Sequence, residues 1–300
     1  MTDRPRIGFI GLGLMGSAMV ARLQDLDYPL TVLAHRSRTA VEAAVARGAR
    51  EAATARDLAA WVDIVMLCVD TSASVEARMR GPEGIIAGLG PDALVIDFGT
   101  SLPDSTRMLG AEVADTGAAM LDAPLGRTPA HARDGLLNIM AAGTDAAYAR
   151  AMPVLRDLGE NVFHVGPPGT GHTLKLINNF FAMTTATAMA EAFAMADRAG
   201  LPRQVLYDVM AAGPLRSGMM DFMKAHALED RIELAFSVAN ARKDVGYYIS
   251  MAEALGAPTQ ISLGAANALG LAKAQGWGDR MVPEMVDWFA ETFHTDEPAS

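Results

Sequence analysis

The chain of 300 residues contains one cysteine, Cys68. No intrachain disulfide can form, and a reducing compartment is expected. The setting of that residue, Val65-Met-Leu-Cys-Val69, reads as an inert core thiol. Basic charge is also scarce, with 25 Lys and Arg against 35 Asp and Glu and a net charge of -10. That balance argues against a nucleic-acid or anionic-membrane partner, because counterion release needs a basic face. No run of about 18 uncharged apolar residues occurs, so no membrane-spanning helix is expected. No secretory leader is visible, since the first apolar run is broken by glycines that have another use, and the expected location is cytoplasmic. No metal site is read from the sequence.

What is present is a hydrophobic fraction of 51% in a chain longer than one usual domain. Two domains with ample core are therefore the expectation. The strand-forming stretch Arg6-Ile-Gly-Phe-Ile10 runs directly into Gly11-Leu-Gly13-Leu14-Met15-Gly16 and then into a helical stretch over 17–26. Gly11 suits a tight strand-to-helix turn, Gly13 lets backbone approach a pyrophosphate, and Gly16 permits close helix packing. The phosphates would sit at the helix N-terminus. Position between strand and helix makes this GxGxxG far more specific than the bare motif, which chance or packing can also produce.

Apolar runs at 7–10, 30–33, 64–69, 94–98, 120–123 and 137–141 alternate with helix-like segments. This predicts an α/β fold with a mainly parallel, doubly wound sheet of the Rossmann type. After Gly166-Pro-Pro-Gly169 the texture becomes Ala- and Met-rich with no convincing strand. The expected division is 1–166 for a dinucleotide-binding domain and 167–300 for an all-α domain. Residues 172–198, apolar nearly all round, predict a central buried helix of roughly 40 Å joining the two. Breaks at Gly200-Leu-Pro202, Gly213-Pro214, Gly256-Ala-Pro258 and Gly276-Trp-Gly278 divide the remainder into further helices.

An acid about 20 residues past the glycines would read the ribose 2′-hydroxyl of NAD, whereas arginine accommodates the 2′-phosphate of NADP. Here the chain reads Leu33-Ala-His35-Arg36-Ser37-Arg38, without a carboxylate. Arg36 first and Arg38 second, helped by His35 and a hydroxyl, are equipped for a phosphate, so NADP is the expected cofactor, with NADPH preferred over NADH. A solvated basic loop is the alternative. Further along, Lys175, Asn178 and Asn179 bring a cation and two amides to one face of the oily helix, at i, i+3 and i+4. Desolvation would lower the Lys175 pKa toward neutrality, suiting a general acid that protonates a carbonyl oxygen. Alternatively Lys175 snorkels to solvent and the amides cap neighbouring helices.

With these motifs the chain resembles the β-hydroxyacid dehydrogenase family, which includes 3-hydroxyisobutyrate dehydrogenase, tartronate semialdehyde reductase and, more distantly, 6-phosphogluconate dehydrogenase. The resemblance covers nearly the whole chain. It rests on the glycine turn, Val95-Ile-Asp-Phe-Gly-Thr100, Asp122-Ala-Pro-Leu-Gly126-Arg127-Thr128, Gly169-Thr-Gly-His-Thr-Leu-Lys175-Leu-Ile-Asn178-Asn179 and Arg242-Lys243-Asp244. It implies that Lys175 is the general acid/base, Asn179 orients substrate, Lys243 lies near cofactor and substrate, and Val69 and Thr100 line the cofactor cleft. It also implies a Rossmann domain, a long interdomain helix and a helical domain that builds a homodimer or homotetramer.

The substrate loop departs from the family pattern Asp-Ala-Pro-Val-Ser-Gly-Gly, because Gly126, Arg127 and Thr128 replace its last three residues. Arg127 and Thr128 add a guanidinium fork and a hydroxyl, suited to a tetrahedral or second anion. The variant is similar to the loop of sulfolactaldehyde reductase. Arg127 pairing with a surface acid such as Asp134 is the alternative. The expected function is an NADP(H)-dependent reductase or dehydrogenase of a small anionic hydroxy acid or its semialdehyde. The leading substrate is 3-sulfolactaldehyde, and 3-hydroxyisobutyrate or tartronate semialdehyde comes next. Imine reduction and a non-catalytic cofactor-binding module are the readings of other classes.

Overall fold

The computed structural model describes residues 4–34 and 38–294. By compactness the chain divides into two units, 1–175 and 176–300.

In the first unit β1 (Ile7–Ile10) leads through the glycine turn into α1 (Leu14–Asp25). Then follow β2 (Leu30–Leu33), α2 (Thr39–Ala46), β3 (Arg50–Ala52), α3 (Ala55–Trp61), β4 (Ile64–Leu67), α4 (Ser72–Met79), β5 (Leu94–Asp97), α5 (Pro103–Ala114) and β6 (Ala119–Asp122). The six strands form one parallel sheet in the order β3-β2-β1-β4-β5-β6. Ile7, Phe9, Val32, Met66 and Ile96 point into one hydrophobic core, with Met19 and Leu23 of α1. Ile10, Leu33, Val65, Leu67 and Val95 point into the other, with Leu58 of α3 and Val75 and Met79 of α4. Burial on both faces is why the central strands read as unbroken apolar runs rather than alternating ones.

Two expectations are corrected here. The run at 137–141 is a strand, β8 (Leu137–Ala141), but it lies outside the main sheet. It pairs antiparallel with β7 (Leu125–Gly126) and parallel with β9 (Gly159–His164), with α6 (Pro129–Asp134) and α7 (Asp145–Leu158) between them in the chain. The first helix begins at Leu14, inside the glycine motif and with Gly13 as its N-cap, rather than at residue 17. β3 and β9 carry no apolar run because both are largely exposed.

α8 (Thr170–Arg198) carries the chain from the first unit into the second. It is followed by α9 (Arg203–Ala211), α10 (Gly218–Glu229), α11 (Val238–Ala254), α12 (Ile261–Ala272) and α13 (Met285–His294). Met183, Met189 and Phe193 of α8 pack with Met223, Val245, Leu269, Val286 and Trp288. α8 is not buried all round, since Phe181 is 72% and Met195 53% exposed. Among the described residues no helix is long and apolar enough to cross a membrane.

The close packing of α1 on β1 depends on Gly16. A Cβ there would lie 1.9 Å from the carbonyl oxygen of Gly11 and 3.0 Å from the Phe9 ring, whereas one at Gly13 meets nothing within 4 Å. Gly16→Ala is therefore expected to cost about 2 to 4 kcal/mol in urea unfolding, against about 0.5 kcal/mol or less for Gly13→Ala. Equal midpoints for the two variants would show that Gly16 is not a packing constraint.

Candidate active site

The strand order reverses between β1 and β4, and the crevice at their carboxyl ends is where an open α/β sheet binds ligands. A cavity of about 280 Å³ lies there, lined by Gly11, Gly13, Leu33, Val69, Ser74 and Arg78 among others. Gly11 adopts φ +100°, and a Cβ on it would sit 2.3 Å from the Cys68 carbonyl oxygen. Gly13, with open space around it, leaves backbone exposed at the start of α1, where unsatisfied N–H groups and the helix dipole favour a phosphate. Cavity, turn and helix end together fit a dinucleotide. Cys68 packs against the core beside them, and burial pushes its thiol up to about 12, as expected of an inert sulfur.

Gly11, Gly13 and Val69 are brought to this cavity. Leu14 opens α1 and is 68% exposed, Met15 packs against the core, and Gly16 is buried beneath the turn. Thr100 follows β5 and is not among the cavity's lining residues. His35 and Arg36 lie outside the described residues. Arg38, the N-cap residue of α2, turns its fork to Glu51 with two bonds of 3.1 Å and its Nε to Glu42 at 3.3 Å.

The start of α8 is held by a side chain from another element. Asp122, at the end of β6, accepts the Gly169 N–H on one carboxylate oxygen and the His172 N–H on the other, both at 2.8 Å. His172, fully buried, has Nδ1 2.7 Å from the Thr106 hydroxyl of α5 and Nε2 3.8 Å from Asp97. Asp97, at the end of β5, accepts the Gly99 N–H and the Ser101 hydroxyl. Burial raises its carboxyl above the usual range, against the opposing pull of His172. Less than one turn beyond His172, the half-buried Lys175 donates from Nζ to the Leu125 carbonyl oxygen at 2.6 Å. The lysine thus adjoins the loop whose next residues are Gly126, Arg127 and Thr128.

Gly126 pairs with Asn138 in the small sheet. Arg127 adopts φ +76°, a left-handed conformation that costs a non-glycine residue about 1 kcal/mol or more. Its Nη1 donates to the Leu136 carbonyl oxygen at 2.7 Å and to Glu160 at 2.5 Å, so the surface partner is Glu160 rather than Asp134. Both bonds use Nη1, which leaves the Nε–Nη2 edge of the fork unengaged among the described residues. The Thr128 hydroxyl lies 2.7 Å from Nδ1 of His131.

In the second unit Asn179 is buried and donates to Asp244 at 2.6 Å, while exposed Asn178 donates to Asn179 at 3.2 Å. Asp244 is 1% exposed, and Lys243 approaches its other oxygen at 2.9 Å while lying over the Tyr247 ring. Sequence reasoning passed over Asp97, His131, His172 and Arg78. Asp97 and His172, like Asp122 and Asp244, stood inside quoted motifs; His131 and Arg78 carried no local signal.

Family models extend the picture. Residues 6–166 match the NAD binding domain of 6-phosphogluconate dehydrogenase, and residues 169–289 match the NAD-binding domain of NADP-dependent 3-hydroxyisobutyrate dehydrogenase. The chain is 32% identical over 285 residues to 3-sulfolactaldehyde reductase of Escherichia coli (strain K12), covering 95% of this chain and 93% of that protein. It is 36% identical over 205 residues to NAD-dependent L-serine dehydrogenase of Pseudomonas aeruginosa, covering 68% of each. The solved structure of Mycobacterium tuberculosis 3-hydroxyisobutyrate dehydrogenase with L-serine superposes with a TM-score of 0.84 at 26% identity, over 95% of this chain and 99% of that one. This chain belongs to the β-hydroxyacid dehydrogenase family, NAD(P)-dependent oxidoreductases that interconvert small hydroxy acids and their semialdehydes at a hydroxyl group.

Proposed function

We propose that the enzyme is an NADP(H)-preferring reductase of a small aldehyde that carries a strong anion, with 3-sulfolactaldehyde as the best-fitting substrate. The observation that carries this reading is the junction of Lys175 Nζ with the Leu125 carbonyl, one residue ahead of a loop whose arginine is held at φ +76°. Strain of that kind persists where surrounding structure imposes it, and it clusters at functional sites. The relative named 3-sulfolactaldehyde reductase supports the same substrate.

A bound nicotinamide cofactor supplies or accepts the hydride. Lys175 holds the proton at Nζ and gives it to the carbonyl oxygen as that oxygen gains charge; in the oxidative direction it takes the proton back. The Leu125 carbonyl fixes the ammonium, and Asp122 fixes the helix that bears it. Asn179, held by Asp244, and Asn178 orient the substrate, and the Gly126 backbone, the Thr128 hydroxyl and the Nε–Nη2 edge of Arg127 receive its anion. Residues 1–166 bind the cofactor and 167–300 supply Lys175 and the assembly surface. The family resemblance supports Lys243 near cofactor and substrate and Val69 and Thr100 along the cofactor cleft, and Leu14 and Met15 are assigned to the cofactor with the glycine turn.

NADP(H) preference rests on Arg36 together with His35, since Arg38 is already committed to Glu51 and Glu42. The second reading, an ordinary 3-hydroxy acid such as 3-hydroxyisobutyrate, tartronate semialdehyde or serine, is favoured by the Arg127–Glu160 pair, which partly neutralises the arginine. A homodimer or homotetramer is supported by apolar side chains left bare on the second unit, including Phe181 and Val209; a single-chain mass by light scattering would remove that proposal.

Lys175→Met should lower kcat by about 10² to 10⁴ with cofactor binding unchanged. A loss of only a few-fold would make Lys175 a structural residue. Arg127→Gly relieves a left-handed backbone and removes a surface ion pair that contributes at most about 1 kcal/mol, so its melting temperature should hold or rise. Its efficiency on 3-sulfolactaldehyde should nonetheless fall by tens to thousands of times, for a lost pair of about 2 to 5 kcal/mol, while a neutral short aldehyde is spared. An unchanged ratio of sulfonated to neutral efficiencies would assign the enzyme to the 3-hydroxy acid reading.

A further inference from the structure

One half-buried arginine in the first unit stands apart from its neighbours. Arg38 is paired with Glu42 and Glu51, Arg80 with Glu76 and Glu112, and Arg6 with Asp63. Arg78, half-buried on α4, makes no side-chain hydrogen bond or ion pair with any described residue. In a chain with ten more acids than bases, a partly desolvated guanidinium without a carboxylate is an unbalanced cost unless an anion completes it.

Arg78 also occupies a particular place. It lines the cavity that contains Gly11 and Gly13, and it lines a second cavity of about 350 Å³ bounded by Ala34, Thr54 and the loop 81–84. Leu33 is the other residue shared by both. Leu33 is the last residue of β2, the strand end past which an adenosine ribose is recognised. The acids bordering these cavities are Asp70, which accepts the Ser74 hydroxyl, and Glu83.

We propose that Arg78 is a specificity-determining contact for the 2′-phosphate of NADP(H), reaching it from α4. The assignment rests on the NADP(H) reading above and deepens it. A guanidinium can meet phosphate oxygens with two parallel bonds, which a ribose hydroxyl cannot reproduce, so the contact discriminates between the two cofactors rather than strengthening both. It also accounts for selectivity with Arg38 turned away.

The experiment is calorimetric titration of the full-length enzyme, as wild type, Arg78→Met and Arg78→Lys, with 2′,5′-ADP and with 5′-AMP. Loss of a charge-assisted contact in Arg78→Met should weaken 2′,5′-ADP by about 10- to 100-fold. Binding of 5′-AMP should change by no more than about twofold, which also reports that the fold is intact, and Arg78→Lys should recover part of the loss. Equal weakening of both probes would mean that Arg78 packs on the base, and no weakening of either would mean that it faces solvent; each overturns the proposal. A wild type that prefers 2′,5′-ADP, with that preference kept in Arg78→Met, overturns the Arg78 assignment alone. A wild type that binds the two probes equally overturns the NADP(H) reading itself, and the assignment with it.

Discussion

The grip of Asp122 on the first turn of α8 is the constraint on which the site depends. Two N–H groups that a helix start leaves unsatisfied are taken by the two oxygens of one carboxylate from the end of β6. Hydrogen bonds to a charged acceptor contribute about 1.5 to 3 kcal/mol each, and the negative charge also complements the positive end of the helix. A strand end in a parallel sheet is among the most rigid places in the fold. α8 therefore starts at a position set by the sheet, and Lys175 inherits that position.

Around this grip lies a small buried polar set: His172 against the Thr106 hydroxyl, with Asp97 nearby and itself held by Gly99 and Ser101. Partly satisfied polar groups in a core cost stability compared with apolar packing, but they are directional where apolar contacts are not. Here they join the ends of β5 and β6 to α5 and α8. The chain gives up some stability for a defined orientation of α8.

The loop of Gly126, Arg127 and Thr128 carries strain of its own. The family pattern has glycine where this chain has Arg127, and the φ of +76° is one that glycine adopts freely. The backbone conformation is thus compatible with the common loop, and the arginine is accommodated in it at a cost. Its Nη1 is anchored by Glu160 and the Leu136 carbonyl, which restrains the guanidinium and leaves one edge presented. Under the proposed function, that restraint reduces the side-chain entropy lost when an anion binds.

Much of this was legible in the residues themselves, for local reasons. The parallel sheet could be read because strands buried on both faces must be apolar throughout, and the cofactor turn because only glycine tolerates the geometry at Gly11 and Gly16. The helical second half followed from its Gly and Pro breaks, and Lys175 stood out as a cation among apolar neighbours. The exposed strands β3 and β9 bear no such signature, and the placement of β8 in a separate sheet is a matter of pairing, which no local pattern encodes. What only the tertiary structure decided is which charges meet: Asp122 with the start of α8, Lys175 with Leu125, Arg127 with Glu160, Arg38 with Glu51, and Arg78 with none of the described acids. Such pairings join residues up to 50 positions apart, and a charged side chain carries no mark in sequence of the partner that folding will bring to it.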